Sequence, residues 1–119
     1  MAYHNNFGKY GEKIAANFLR NKGLTIKELN WHFSHLEIDI IAETDREIVF
    51  VEVKTRKTPP DFLYELVTPA KQKRIVKAAD EYIRRNDIDK EARFDIIVIT
   101  GNKENREITH IESAFYPSL

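Results

Sequence analysis

Three side chains suited to acid–base or metal chemistry lie close together near the middle of the chain. Glu52 and Lys54 fall in Phe50-Val51-Glu52-Val53-Lys54, and Asp39 in Glu37-Ile38-Asp39-Ile40-Ile41-Ala42. Strand alternation puts Phe50, Glu52 and Lys54 on one face, with Val51 and Val53 on the other. Glu43-Thr44-Asp45-Arg46-Glu47 joins the two segments as a hairpin connection. A two-residue loop at Asp45-Arg46, or a four-residue loop over 44–47, sets Asp39 opposite Glu52 and Glu37 opposite Lys54. A three-residue loop would shift that register by one. Opposed residues share a face at Cβ separations of ~4.5–5.5 Å. Two carboxylates so placed repel by ~4 kcal/mol at ~4 Å and an effective dielectric of ~20. A compensating cation is therefore expected.

Lys54 is one such cation, and a hard divalent ion is a better one. Mg²⁺, or Mn²⁺ in its place, takes carboxylate oxygens, keeps several waters and binds phosphates directly. Asp39, Glu52 and the Val53 carbonyl would form the protein's share of the shell, with Glu12 as a supporting or direct carboxylate. Such an ion makes a nucleophile of bound water and acts as a Lewis acid. Lys54 would orient that water or stabilise charge growing on phosphorus. Together these are the requirements of phosphodiester hydrolysis. A Glu-x-Lys pair in a strand is also a common exposed ion pair. The difference here is an opposed Asp in apolar surroundings of Ile40, Ile41, Phe50 and Val51.

The elements that must position these residues follow from periodicity. Gly8 to about Lys22 has helical spacing, with Ile14, Ala15, Phe18 and Leu19 on one arc and Lys13, Asn17 and Arg20 opposite. Glu12 projects about 20° from Leu19, at the border of that arc. Gly23 fits a helix stop, and Leu24 to about Trp31 reads as a strand. The hairpin follows, its second strand running from Ile48 to Thr55, and Thr58-Pro59-Pro60-Asp61 marks a loop. Thr68-Pro69 opens a second helix, cap residue then proline, which runs to about Arg85 with Ile75, Val76, Ala79, Tyr82 and Ile83 as its stripe. Phe94–Thr100 and Arg106 to Ala114 read as strands about a Gly101-Asn102 turn. The expectation is one α/β domain over residues 1–119, a mixed sheet with helices packed on it.

At 119 residues, 42% hydrophobic and 32% charged, the chain is long enough to bury a core. It has no apolar run long enough for a membrane span, no signal-peptide pattern and no cysteine. A cytoplasmic location is the simplest expectation. The formal net charge is zero, but its distribution is uneven. Residues 54–77 carry Lys54, Arg56, Lys57, Lys71, Lys73, Arg74 and Lys77 against only Asp61 and Glu65. An acidic pocket beside a basic stretch suits an enzyme acting on a polyanion. Arg56, Lys57, Lys71, Lys73, Arg74 and Lys77 are accordingly expected to contact nucleic acid, although a solvated basic helix would look the same.

Gly11-Glu12-Lys13-Ile14-Ala15, Glu37-Ile38-Asp39-Ile40-Ile41-Ala42, Val49-Phe50-Val51-Glu52-Val53-Lys54-Thr55-Arg56 and Phe94-Asp95-Ile96-Ile97, with Lys71, together resemble the YraN family of small bacterial proteins. The resemblance covers nearly the whole chain. That family is assigned to the PD-(D/E)XK nuclease superfamily and is similar to archaeal Holliday junction resolvases. The resemblance implies a restriction-endonuclease-like fold, with Asp39, Glu52 and Lys54 matching the superfamily signature and Glu12 its N-terminal acid. It also implies Mg²⁺-dependent endonuclease activity on structured DNA, and dimerisation, since a resolvase cuts two strands. A non-catalytic nucleic-acid-binding or adaptor module on the same fold is the alternative. Two departures stand out: Leu36 where the family usually has Gly, and Phe62-Leu63 where it often has Phe-Gly.

Other residues invite weaker readings. Glu37 is expected to pair with Lys54, with a second acid of the site as the alternative. His32 and His35 bracket Ser34 in a solvent-facing loop, and His110 looks structural. Asp95, at the start of an apolar strand, reads as a turn or cap residue. Trp31 and Phe33 could stack on an unpaired base, but core packing accounts for them as well.

Overall fold

A computed structural model describes residues 2–58 and 66–117, and side chains from Tyr10 onward. The elements run α1 (Ala2–Asn21), β1 (Thr25–Phe33), β2 (Leu36–Glu43), β3 (Glu47–Arg56), α2 (Pro69–Arg85), β4 (Glu91–Gly101) and β5 (Arg106–Phe115). The five strands form one mixed sheet in the order β1-β2-β3-β4-β5, with β3 and β4 parallel and every other neighbour antiparallel. The expected element order holds, and α1 begins earlier than its apolar spacing indicates. The Pro59-Pro60-Asp61 loop signal, Glu65 and the Phe62-Leu63 departure lie outside the described residues. Among those described, no helix is long and apolar enough to cross a membrane.

Each face of the sheet carries one helix. On one side Ala15, Ala16 and Leu19 of α1 cover Ile40, Ala42, Val49, Val51, Ile97 and Ile99. On the other, Ile75, Ala78, Ala79 and Tyr82 of α2 cover Ile38, Ile41, Ile48, Phe50, Phe94, Ile96 and Val98. The alternation of Ile48 and Phe50 with Val49 and Val51 thus feeds two separate cores. Phe50, Phe94 and Phe115 stack in series at centroid separations of 5.5 and 5.2 Å. Trp31 meets Tyr82 edge-on at 5.1 Å, so it packs with Phe33 against the α2-side core.

The helix ends follow local chemistry. Gly23 at φ +96° closes α1, its N–H donating to the Arg20 carbonyl while Leu24 N–H donates to that of Leu19; this is a Schellman stop. Thr68 caps α2, its hydroxyl accepting from Lys71 N–H at 3.2 Å, and Pro69 takes the first helical position. Leu36 enters β2 from a turn at Ser34 and His35 and is buried against the α2-side core. His32 lies in β1 rather than in a loop, across from Glu37.

Candidate functional site

The site forms where β2 and β3 part company. Their ladder runs from Glu43↔Ile48 to Ile40↔Val51, which is the register expected from an even-numbered loop. Thr44 closes the turn, its hydroxyl accepting from the N–H groups of Arg46 and Glu47. The ladder stops one pair short of Asp39 and Glu52. On its other side Asp39 also lacks a ladder partner, because pairing skips Asn30, whose φ is +52°. Ile38 joins the α2-side core and Ile40 the α1-side core, so the alternation of faces breaks at Asp39. The expectation of a simple cross-strand pair is corrected accordingly. Asp39 sits at an irregularity, and its Oδ2 accepts from Val53 N–H at 2.9 Å across the gap.

Four elements bring charged groups to this gap. Glu52 is 5% exposed, and its Oε2 lies 3.5 Å from Lys54 Nζ and 3.6 Å from Lys71 Nζ. Lys71 comes from the first turn of α2, which packs on the face shared by Phe50, Glu52 and Lys54. Glu12 of α1 is half-buried, and its Oε2 accepts from Asn30 Nδ2 at 2.8 Å. Glu12, Glu37 and Asp39 each offer an oxygen, and these lie within 4.8 Å of one another. Glu37 is not the partner of Lys54. It lies 4.0 Å from His32 Nε2 and belongs to the acidic cluster instead.

The electrostatics follow from this crowding. Burial, and then the adjacent Glu52 carboxylate, push the Asp39 carboxyl up to about 8. Burial also raises the Glu12 carboxyl, against the opposing Asn30 hydrogen bond. The donors are all hard oxygens and the acids are close enough to destabilise one another as anions. That combination fits a divalent cation of the Mg²⁺ or Mn²⁺ type. In an extended strand a residue's N–H and C=O face the same edge. The Val53 carbonyl therefore belongs on the edge from which its N–H reaches Asp39.

The basic residues divide into two groups. Lys71 joins the site, and Arg56 and Lys57 are exposed at the far end of β3. Lys73 and Lys77, turned about 200° and 240° from Lys71 on the helix, line a groove with Val76, Ile83, Phe94 and Tyr116. Arg74 is exposed between the two groups. Sequence reasoning placed Lys71 in the nucleic-acid contacts and missed its position beside Glu52, although Thr68-Pro69 fixes the phase that puts it there. Asn30 gave no signal at all, because its role depends on a backbone irregularity.

Asp95 is neither a cap nor a turn residue. It is fully buried in β4, on the α1 side. Its carboxylate accepts from Arg93 Nε and Nη2, from Ser113 N–H, and meets His110 Nε2 at 2.7 Å. Burial alone would raise this carboxyl, but the hydrogen bonds from His110, Arg93 and Ser113 outweigh it and hold the group below the ordinary range. Ser113 adopts φ +51° where the β4–β5 register shifts. Asp95 thus ties a strand irregularity into the core, and His110 is structural as expected.

A model described as "Uncharacterised protein family UPF0102" matches residues 11–99, a span holding Glu12, Asp39, Glu52, Lys54 and Lys71. A UPF0102 protein of Flavobacterium psychrophilum is 47% identical, with 98% of each chain covered. One from Phocaeicola vulgatus is 45% identical over the whole of this chain and 99% of its own. A third, from Bacteroides fragilis, is 46% identical with the same coverage. The match thus extends over the whole arrangement of helices, sheet and acidic gap, and the chain belongs to the UPF0102 family, whose YraN-like sequence pattern it carries.

Proposed function

We propose that this chain is a metal-dependent endonuclease that hydrolyses phosphodiester bonds in DNA, most suitably branched or junction DNA, on a restriction-endonuclease-like PD-(D/E)XK fold. The observation that carries this reading is the meeting of Asp39 and Glu52 at the end of the β2–β3 ladder, with two ammonium groups on one Glu52 oxygen. Asp39, Glu52 and the Val53 carbonyl would hold a Mg²⁺ or Mn²⁺ ion, with Glu12 beside them. Bound there, it would supply Lewis acidity and a water of lowered pKa.

The chain's own groups do the rest. Val53 N–H fixes the Asp39 carboxylate, and Asn30 fixes Glu12. Lys54 is placed to orient the attacking water or to donate to a phosphate oxygen as charge develops. Lys71 approaches the same carboxylate oxygen from α2, a position suited to a second phosphate oxygen. Arg56, Lys57 and Arg74 would carry the flanking backbone contacts, with Lys73 and Lys77 on the flank of α2 turned from the site. Cutting both strands of a junction would require two copies of the site, hence a homodimer.

The test is cleavage of a labelled four-way junction and a matched duplex with Mg²⁺ or Mn²⁺. Wild type should cut, Asp39→Ala and Lys54→Met should lose at least about 100-fold, and Lys71→Met should cut more slowly than Lys71→Arg. Equal rates from wild type and Asp39→Ala would sink the assignment. Calorimetry separates the adaptor alternative, since DNA binding without a Mg²⁺ or Mn²⁺ site in wild type would favour a non-catalytic module.

A further inference from the structure

A second cavity, on the α1 face of the sheet, takes no part in the metal chemistry. It has a volume of about 110 Å³ and is lined by Tyr10 and Ile14 of α1, Thr55 and Arg56 of β3, and Lys103 and Arg106 about the β4–β5 turn, among others. Ligand pockets for drug-sized molecules run to roughly 300–1,000 Å³, so this one has room for a single ring system. Its lining includes three cations and no acid. Glu104 and Glu107 line a separate cavity with Lys57 and Arg106. Tyr10 is 47% exposed. The Arg106 guanidinium lies 5.1 Å from its ring centroid, leaving part of the ring open.

The walls are closely packed. Gly11 brings α1 so close to β3 that a Cβ there would lie 2.8 Å from Thr55 Cγ2. Gly101 at φ +93° leaves no room for a Cβ against the Asn105 carbonyl. Asn102 Oδ1 accepts from Glu104 and Asn105 N–H, which fixes the turn bearing Lys103. An aromatic face, a planar guanidinium beside it and a cationic rim are what a single-stranded nucleic acid requires. Its base stacks on the ring or on the guanidinium while the rim holds the adjoining phosphates. The position is also suitable. Arg56 follows Glu52 by four strand residues, about 13 Å, a distance of only a few nucleotides.

We infer, on the strength of the nuclease reading above, that the cavity at Tyr10 is a subsite for one unpaired nucleotide of the substrate strand, its base stacked on Tyr10 and its phosphates held by Arg56, Lys103 and Arg106. A strand leaving the metal site toward the far end of β3 would round that end, past Arg56, to reach it. Substrates with an unpaired nucleotide near the cut are thereby preferred over continuous duplex.

The experiment is fluorescence anisotropy in EDTA with a labelled single strand, the same strand with abasic sites, and a blunt duplex. Tyr10→Ala should weaken single-strand binding about tenfold, and Tyr10→Phe by less than about twofold. Arg106→Gln should weaken it and lessen its salt dependence. The abasic strand should not distinguish wild type from Tyr10→Ala. Tyr10→Ala must retain the wild-type melting temperature to within about 4 °C, and Tyr10→Phe provides the same comparison with the ring kept. Equal single-strand binding by wild type and Tyr10→Ala overturns the subsite alone. The same holds if Tyr10→Ala weakens abasic and normal strands alike. Wild type that binds none of the three nucleic acids overturns the subsite and the nuclease reading together.

Discussion

At Asp39 burial and a neighbouring carboxylate act in the same direction, both favouring the neutral acid. The folded-state value of about 8 lies above the ordinary 3.8, so the folded chain binds a proton that the unfolded chain has released. The stabilisation is complete below about pH 4 and is lost as pH rises through 8. Urea denaturation of the metal-free protein should therefore show stability falling between about pH 4 and about pH 8. Asp39→Asn should flatten that slope. A wild-type profile no steeper than that of Asp39→Asn would remove the proposed protonation. A divalent cation competes for the same oxygens as this proton, so its affinity should rise over the same interval.

At the scale of elements, the β4–β5 pair depends on a buried anion as much as on its ladder. Asp95 neutralises Arg93, whose guanidinium also reaches Glu47 and Glu112, and it receives the N–H of the irregular Ser113. Asp95→Asn leaves the cation short of its buried partner and should cost about 3 kcal/mol, read as a lower urea midpoint with unchanged slope. A loss below about 0.5 kcal/mol, the range of ordinary surface changes, would contradict this account. The role was not legible in the sequence because His110 and Ser113 reach Asp95 only through the register of β5. A charge heading an apolar run looks the same when it is a cap. Because the sequence leaves the loop length open between even and odd, and the structure takes the even one, the β2–β3 register was legible as one of two choices. The early end of its ladder was not, because it depends on the left-handed backbone of Asn30 and on strands drawn apart by different cores. The start of α2 was legible in Thr68-Pro69. The start of α1 was not, and no acidic residue marks its first turn.

For the molecule as a whole, zero net charge conceals a division of labour among its cations. Lys54 and Lys71 are committed to Glu52, Arg93 to Asp95, and Arg84 and Arg85 to Glu81. Under the nuclease reading, Lys54 and Lys71 serve the scissile phosphate, and the cations left for flanking phosphates are Arg56, Lys57, Lys103 and Arg106 on one flank and Lys73, Arg74 and Lys77 on another. Each phosphate contact with duplex contributes about 0.9 to the slope of log affinity against log salt. Arg56→Ala should reduce that slope by about one contact, whereas the double change Lys73→Ala/Lys77→Ala, on the flank turned from the site, should reduce it by less than one. A larger loss from the double change would shift the DNA path to the α2 groove.

Beyond Val51, the described strand bearing Glu52 and Lys54 has lost its pairing with β2 and is held by β4, Glu52 against Ile96 and Lys54 against Val98. A nascent chain that has emerged only through α2 thus has every acid of the gap in hand, with the Val53–Asp39 hydrogen bond and Lys71 beside Glu52, but not the β4 ladder that flanks this part of β3. The ladder that flanks Glu52 and Lys54 is complete only once β4 is present to pair with β3. Chains that end before β4 lack the strand that pairs with β3 along Glu52 and Lys54.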